Sequence, residues 1–226
     1  LLEERYKSHT ETRELFSVSS QHYAFVVNAF VSLLKRADMT RYELFLRETR
    51  TYEIIEDVKN FRSEIGVLFL NGYNRDVLTK MFDDNRLTYT SLFKARPHIF
   101  VSKSNPLAKH KVVSLEDLED FPYLSYDQGI HNSFYYSEEI LSQIPHKKSI
   151  VVSDRATLFN LLIGLDGYTI ATGILNSNLN GDNIVSIPLD IDDEIDIVYL
   201  KHEKATLSKM GEKFLDNLVK EVTFDN

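Results

Sequence analysis

The chain has 226 residues, 43% of them hydrophobic and 27% charged, which is enough to bury a sizeable core as one large domain or two small ones. Its 34 acidic and 26 basic side chains leave a net charge of −8, which repels phosphate and makes this polypeptide a poor surface for nucleic acid. The absence of cysteine excludes disulfides and thiolate metal sites, and no apolar run reaches the roughly 20 residues that cross a bilayer.

The opening LLEERYKSHTETRE is charged and has no apolar signal-peptide core. Because the chain starts with Leu, it is expected to be a fragment or a processed form, with residues 1–13 the frayed end of a helix or a linker. A short strand, Leu15–Val18, then leads through Ser17, Ser19, Ser20 and Gln21 into a long apolar helix, Gln21–Lys35. Serines at such a junction cap the helix, and free amides at the positive end of its dipole suit a carboxylate or similar anion. The plain alternative is an ordinary N-cap. The helix carries Tyr23, Val26, Val27, Phe30 and Leu34 on one stripe and Ala24, Phe25 and Val31 off it, so it is expected to pack on its own sheet and on a second subunit.

Arg41–Glu48 alternates like a strand, Thr51–Arg62 has helical spacing, and Ile65–Leu70 is a continuous apolar run, the mark of a strand covered on both faces. This order makes two right-handed crossover units. After a helix at Arg75–Asp83, extended segments Leu87–Phe93 and His98–Ser102 read as a passage into a second lobe. There Ser114–Leu118 is a capped turn with its acids first, Tyr123–Tyr126 and Ser149–Val152 are strands, and Phe134–Gln143 is expected to be an amphipathic helix closed by Pro145. Ser153 or Asp154 caps a helix, Arg155–Ile163, that stops at Gly164. Strands Tyr168–Ala171, Ile184–Ile187 and Ile195–Lys201 and a helix Leu207–Val222 complete the chain. The pattern is α/β, two lobes with the second inserted in the first.

Three segments together resemble the effector-binding domain of LysR-type transcriptional regulators. They are the Ser-Ser-Gln turn opening the long helix, HIFVSKSNPLAKHKVVSLEDLEDFPYLSY, and VVSDRATLFNLLIGLDGYTIATG. They follow the family's order over about residues 14–222, although Leu-Asp separates Gly164 from Gly167 where many members have a tighter pair. The resemblance implies two Rossmann-like lobes joined by two crossover strands, like type-2 periplasmic binding proteins. It further implies a linker-helix end at 1–13, lobe I at 14–95 and 198–226, and lobe II at 96–197.

On the same resemblance the cleft would be lined by Ser19, Ser20 and Gln21, by Asn71 at the end of the third strand, and by Tyr126, Gln128 and Thr172 from lobe II. Arg155, a cation at a helix start, either faces the cleft and pairs an anionic ligand or is solvated. His131 and Asn132 are expected to be an exposed side chain and a cap. The acidic clusters Asp83–Asp84, Asp117–Glu119 and Asp190–Asp196 are expected to be solvated faces, since none has calcium-loop spacing. No zinc spacing, P-loop, G-x-S-x-G elbow or G-x-G-x-x-G turn occurs, so neither a cofactor nor an enzyme is indicated.

The resemblance implies a cytoplasmic sensor of a small, anionic or amino-acid-like effector, and a homodimer that becomes a tetramer at full length. DNA would be contacted only through an N-terminal helix-turn-helix outside this chain, and no membrane is involved. The competing reading is an extracytoplasmic solute-binding protein of a transporter, with the same cleft chemistry.

Overall fold

The computed structural model describes residues 14–36, 42–175 and 181–223; the expected linker end at 1–13 lies outside them. The chain opens with β1 (Glu14–Ser20), α1 (Ala24–Arg36), β2 (Tyr42–Glu48), α2 (Thr51–Lys59), β3 (Ile65–Leu70), α3 (Arg75–Asp84) and β4 (Leu87–Ala95). Next come β5 (His98–Ser102), β6 (Tyr123–Tyr126), β7 (Ser149–Val152), α4 (Arg155–Leu165), β8 (Tyr168–Ala171) and β9 (Ile184–Pro188). β10 (Ile195–His202) and α5 (Lys209–Thr223) end it.

Two mixed five-stranded sheets result, ordered β2-β1-β3-β10-β4 and β7-β6-β8-β5-β9. In each, three parallel strands are followed by a strand that runs against them, β10 in the first and β5 in the second. The crossover helices force the parallel pairing, because a parallel neighbour cannot be reached by a tight turn. The chain passes between sheets after Ala95 and returns between Pro188 and Ile195. This is the expected two-lobe α/β architecture.

All six residues of β3 are buried, as a continuous apolar run requires when helices cover both faces. α2 packs so closely on β3 that a Cβ at Gly66 would lie 2.8 Å from Ile54 Cγ2 and 2.9 Å from Val58 Cγ2. On the opposite face α1 lies beside α5. Phe30 meets Phe214 edge-on at 6.3 Å, Ser32 donates to Glu221 Oε1 at 2.6 Å, and Arg36 donates to Asn217 Oδ1 at 3.2 Å. Part of the apolar surface of α1 is therefore met by the chain's own last helix, Phe25 meets Phe93 of β4 edge-on at 5.4 Å, and Val27, Val31 and Leu34 stay part-covered.

Three expectations need correction. β1 runs on to Ser20 and α1 starts only at Ala24, so the serines belong to the strand and do not cap the helix. Asp154 caps α4 by accepting from Thr157 N at 2.8 Å, but the helix continues through Gly164 to Leu165 and ends on a left-handed Asp166. The helix expected at 134–143 is one 3-10 turn, Phe134–Tyr136, followed by irregular chain. Consecutive residues of a helix point about 100° apart, whereas Glu138 and Glu139 are both buried toward the lobe boundary.

Gly66→Ala is expected to cost about 1–3 kcal/mol by overpacking α2 against β3, lowering the thermal midpoint by several degrees. An unchanged midpoint would show that α2 can shift to make room.

Candidate functional site

β1, β6 and β8 all end where the two sheets face each other, and the connections after them line a small cavity with room for water-sized spheres over about 40 Å³. Phe25 and Phe69 of lobe I and Phe100, Leu158, Phe159 and Ile170 of lobe II supply apolar wall. The polar groups are His22 and the Tyr23 hydroxyl on one side, and Tyr126, Glu138, Glu139, Arg155, Thr169 and Thr172 on the other.

Glu138 is the centre of this arrangement. One carboxylate oxygen accepts from His22 N–H at 2.8 Å and lies 2.9 Å from His22 Nδ1; the other accepts from Gln128 Nε2 at 3.0 Å. The side chains of His22 and Glu138 are only 6% and 3% exposed, so the pair is desolvated and depends on these donors. The His22 ring also stacks on Tyr126, 4.1 Å between centroids and 10° from parallel. Burial pushes the His22 pKa down, but the hydrogen bond and charge of Glu138, with Glu48 adding, outweigh it and the net shift is upward. Glu139, one residue on, accepts from Tyr126 N–H at 2.9 Å. Burial, with the neighbouring Glu138 charge adding, drives its carboxyl well above the ordinary carboxylate range.

The loop after β6 extends this contact across α2. Gln128 Oε1 accepts from Thr51 N at 3.1 Å, so the N-terminus of the lobe I helix is capped by lobe II. Thr51 Oγ1 donates to Tyr136 O at 2.7 Å, and Arg50 binds both the carbonyl and the carboxylate of Asp127. His131 stacks on Tyr52 at 3.5 Å, and Tyr135 stacks on Tyr73 at 4.8 Å. His131 is therefore part-covered, not exposed as expected, and the 3-10 turn starts at Ser133 without a cap from Asn132.

Of the residues expected at the cleft, Tyr126, Arg155 and Thr172 line the cavity. Arg155 faces it and its Nε donates to Glu48 Oε1 at 3.0 Å. Ser19 points to the opposite face of its sheet, where its hydroxyl donates to Asp57 Oδ2 at 2.7 Å and meets Ser63 Oγ at 2.6 Å. Ser20 Oγ is buried without a hydrogen-bond partner among the described residues. Gln21 ties β1 to its neighbours, donating to Thr51 Oγ1 at 2.7 Å and accepting from Phe69 N at 3.0 Å. Asn71 caps its own turn, accepting from Tyr73 N and Asn74 N at 3.1 Å, and donates to Asp193 Oδ2 at 3.1 Å. Gln128 holds Glu138 and Thr51 behind the cavity wall.

The 190–196 cluster is also not wholly solvated. Asp196 is buried, taking Arg75 Nη2 at 2.9 Å and Ser91 Oγ at 2.5 Å. Among the described residues no group of three or more His, Asp or Glu converges as a metal site.

Sequence reasoning passed over His22, Glu48, Glu138 and Glu139. Their one signal was an adjacent acid pair inside the mostly apolar run FYYSEEILSQI, which a helical reading assigns to a solvated face. The pH dependence follows from the directions above. His22 and Glu139 both have raised values, so their contributions are fullest below their ordinary values of 6.5 and 4.5 and fade as pH climbs through the raised ones. The thermal midpoint is expected to fall from pH 6 to 8.5. Glu139→Gln, which mimics the protonated acid, should flatten that slope while changing stability at pH 6 by less than about 1 kcal/mol. A steeper slope in the variant would contradict the assignment.

The comparisons with known proteins agree with the two-lobe fold. A family model described as the LysR substrate binding domain matches residues 19–223. The reduced OxyR regulatory domain from Pseudomonas aeruginosa is 12% identical with a TM-score of 0.65, over 92% of this chain and 98% of that one. The effector-binding domain of QuiR in complex with shikimate is 16% identical, TM-score 0.60, over 92% and 97%. HinK, a LysR family transcriptional regulator from Pseudomonas aeruginosa, is 13% identical, TM-score 0.60, over 98% of this chain and 75% of its own. No curated protein matches the chain. Because the family model spans both lobes and the cleft between them, the chain belongs to the LysR substrate-binding domain family.

Proposed function

We propose that this chain is the ligand-sensing domain of a LysR-type DNA-binding transcriptional regulator, taking a small anionic or amino-acid-like metabolite in the inter-lobe cleft. The observation that carries this reading is the cavity itself, with apolar walls and with polar groups drawn from both lobes. Such a site responds to a ligand through the relative placement of the lobes. The ligand shifts that equilibrium only by its differential affinity for the two arrangements, typically 1–3 kcal/mol. The lobes are taken as the two units centred on the sheets and joined through residues 96–97 and 189–194.

Tyr126, Arg155 and Thr172 are the ligand contacts carried forward from the sequence, with His22 added, and Glu138 and Glu139 line the cavity beside them. Arg155 supplies the positive charge for an anionic group, and the Phe69, Phe100 and Phe159 rings supply contact for an apolar part. Ser19, Ser20, Gln21, Asn71 and Gln128 act as the frame behind these groups. The QuiR neighbour, in complex with shikimate, makes hydroxy acids a reasonable class to test beside amino acids.

The domain is proposed to work in the cytoplasm as part of a homodimer, tetrameric at full length. Its subunit contact would use the part-covered side of α1 and the edge strand β2, where Tyr42 and Phe45 are exposed, against lobe II of a second copy. DNA would be contacted through another part of the full-length regulator. Membership of the LysR family favours this reading over a transporter component, and nothing in the cleft requires catalysis. No helix among the described residues is long and apolar enough to cross a membrane.

A thermal-shift screen of amino acids, their acylated precursors and small hydroxy acids tests the reading. A true ligand at a hundred times its dissociation constant is expected to add about 2.7 kcal/mol of stability, and Arg155→Ala should remove most of that shift. A panel with no active compound, or a shift that survives both Arg155→Ala and Tyr126→Ala, would count against ligand sensing in this cleft. Sedimentation as a monomer at micromolar concentration would contradict the dimer.

A further inference from the structure

We propose that Glu138 is a resident occupant of the cleft's anion subsite, the chain's own carboxylate on the donors that a ligand carboxylate takes when it binds. The inference rests on the proposed ligand-sensing reading and adds to it the chemistry of the exchange.

His22 N–H, His22 Nδ1 and Gln128 Nε2 all converge on Glu138 within 2.8–3.0 Å. This is the donor set that a bound carboxylate needs, in a side-chain environment closed to water. The guanidinium at the cavity, Arg155, is engaged by Glu48. An incoming oxyanion therefore meets an acid already in place, and it enters by replacing that acid. The exchange conserves charge and the number of hydrogen bonds, so the donors are never left unmet in the low-dielectric cleft.

The segment that carries Glu138 is suited to giving way. From Ser137 to Lys148 it has no helix or strand, and Leu141 is held at φ 60°, in the left-handed region that costs a branched side chain strain. Moving Glu138 therefore breaks no helical ladder. It does release the contact between His22 of lobe I and lobe II, so occupancy and lobe placement become one event. The apolar wall of Phe69, Phe100, Phe159 and Ile140 beside this acid selects a carboxylate with an apolar or aryl body.

Calorimetric titration with phenylacetate, and with phenylacetamide as its uncharged counterpart, tests the exchange. Glu138→Ala is expected to bind phenylacetate about tenfold or more tightly than the unaltered domain, because the vacated donors take the probe. Phenylacetamide should change by less than about twofold, and adding His22→Ala, which removes the ring donor but not the backbone amide, should cut the gain by at least about half. Glu138→Gln keeps the volume of the side chain and decides the matter if Glu138→Ala does not fold; it should gain about threefold. Phenylacetate affinity that is unchanged or weaker in these variants, an equal gain for the amide, or no binding to any of the proteins overturns the proposal. Failure here leaves a ligand found in the metabolite screen standing, whereas failure of the screen is read with the unaltered cleft and its Arg155→Ala control.

Discussion

Two adjacent carboxyl groups, Glu138 and Glu139, are buried where the lobes meet, and the contact between the lobes depends on how their charge is met. A buried carboxylate without partners is costly by several kcal/mol, so each must find donors or keep its proton. Glu138 finds its donors in His22 and Gln128, one from each lobe. Glu139 takes the Tyr126 amide and is pushed toward its neutral form. Both acids sit on a segment that is neither helix nor strand, and the Glu138 contacts tie that segment to His22.

The consequences extend into lobe I. The same Gln128 that donates to Glu138 accepts from the first amide of α2, and Thr51 at that position also holds Gln21 and the Tyr136 carbonyl. α2 in turn presses Ile54 and Val58 on Gly66 of β3. A change of lobe placement therefore reaches a helix terminus and a close backbone contact, both of which have few alternative states. In the proposed sensing role, these are the elements through which a ligand in the cleft would act.

The parts of the fold dominated by local hydrophobic pattern were readable in the sequence. Ile65–Leu70 is buried throughout, Asp154, one of the two residues expected as a cap, caps its helix, and the extended segments expected at Leu87–Phe93 and His98–Ser102 carry the chain between sheets. Of the residues expected at the cleft, Tyr126, Arg155 and Thr172 line the cavity between the sheets. What was not readable depends on partners distant in sequence. Ser19 is turned away by Asp57, 38 positions on, and Glu138 is held by His22, 116 positions back. The apolar surface of α1 had a similar outcome, since α5, met only at the far end of the chain, covers part of it and Phe93 of β4 meets Phe25. Periodicity reports which side of an element is buried, but not what buries it.

The central claim, that the Glu138 clasp holds the lobes together, can be measured directly because the chain has no cysteine of its own. Spin labels attached through Lys80→Cys on α3 and Asp120→Cys in lobe II, positions 77% and 92% exposed, report the distance between the lobes by pulsed electron resonance. The unaltered domain is expected to give one narrow distance distribution, and Glu138→Gln a longer and broader one. An identical narrow distribution in both would contradict the claim.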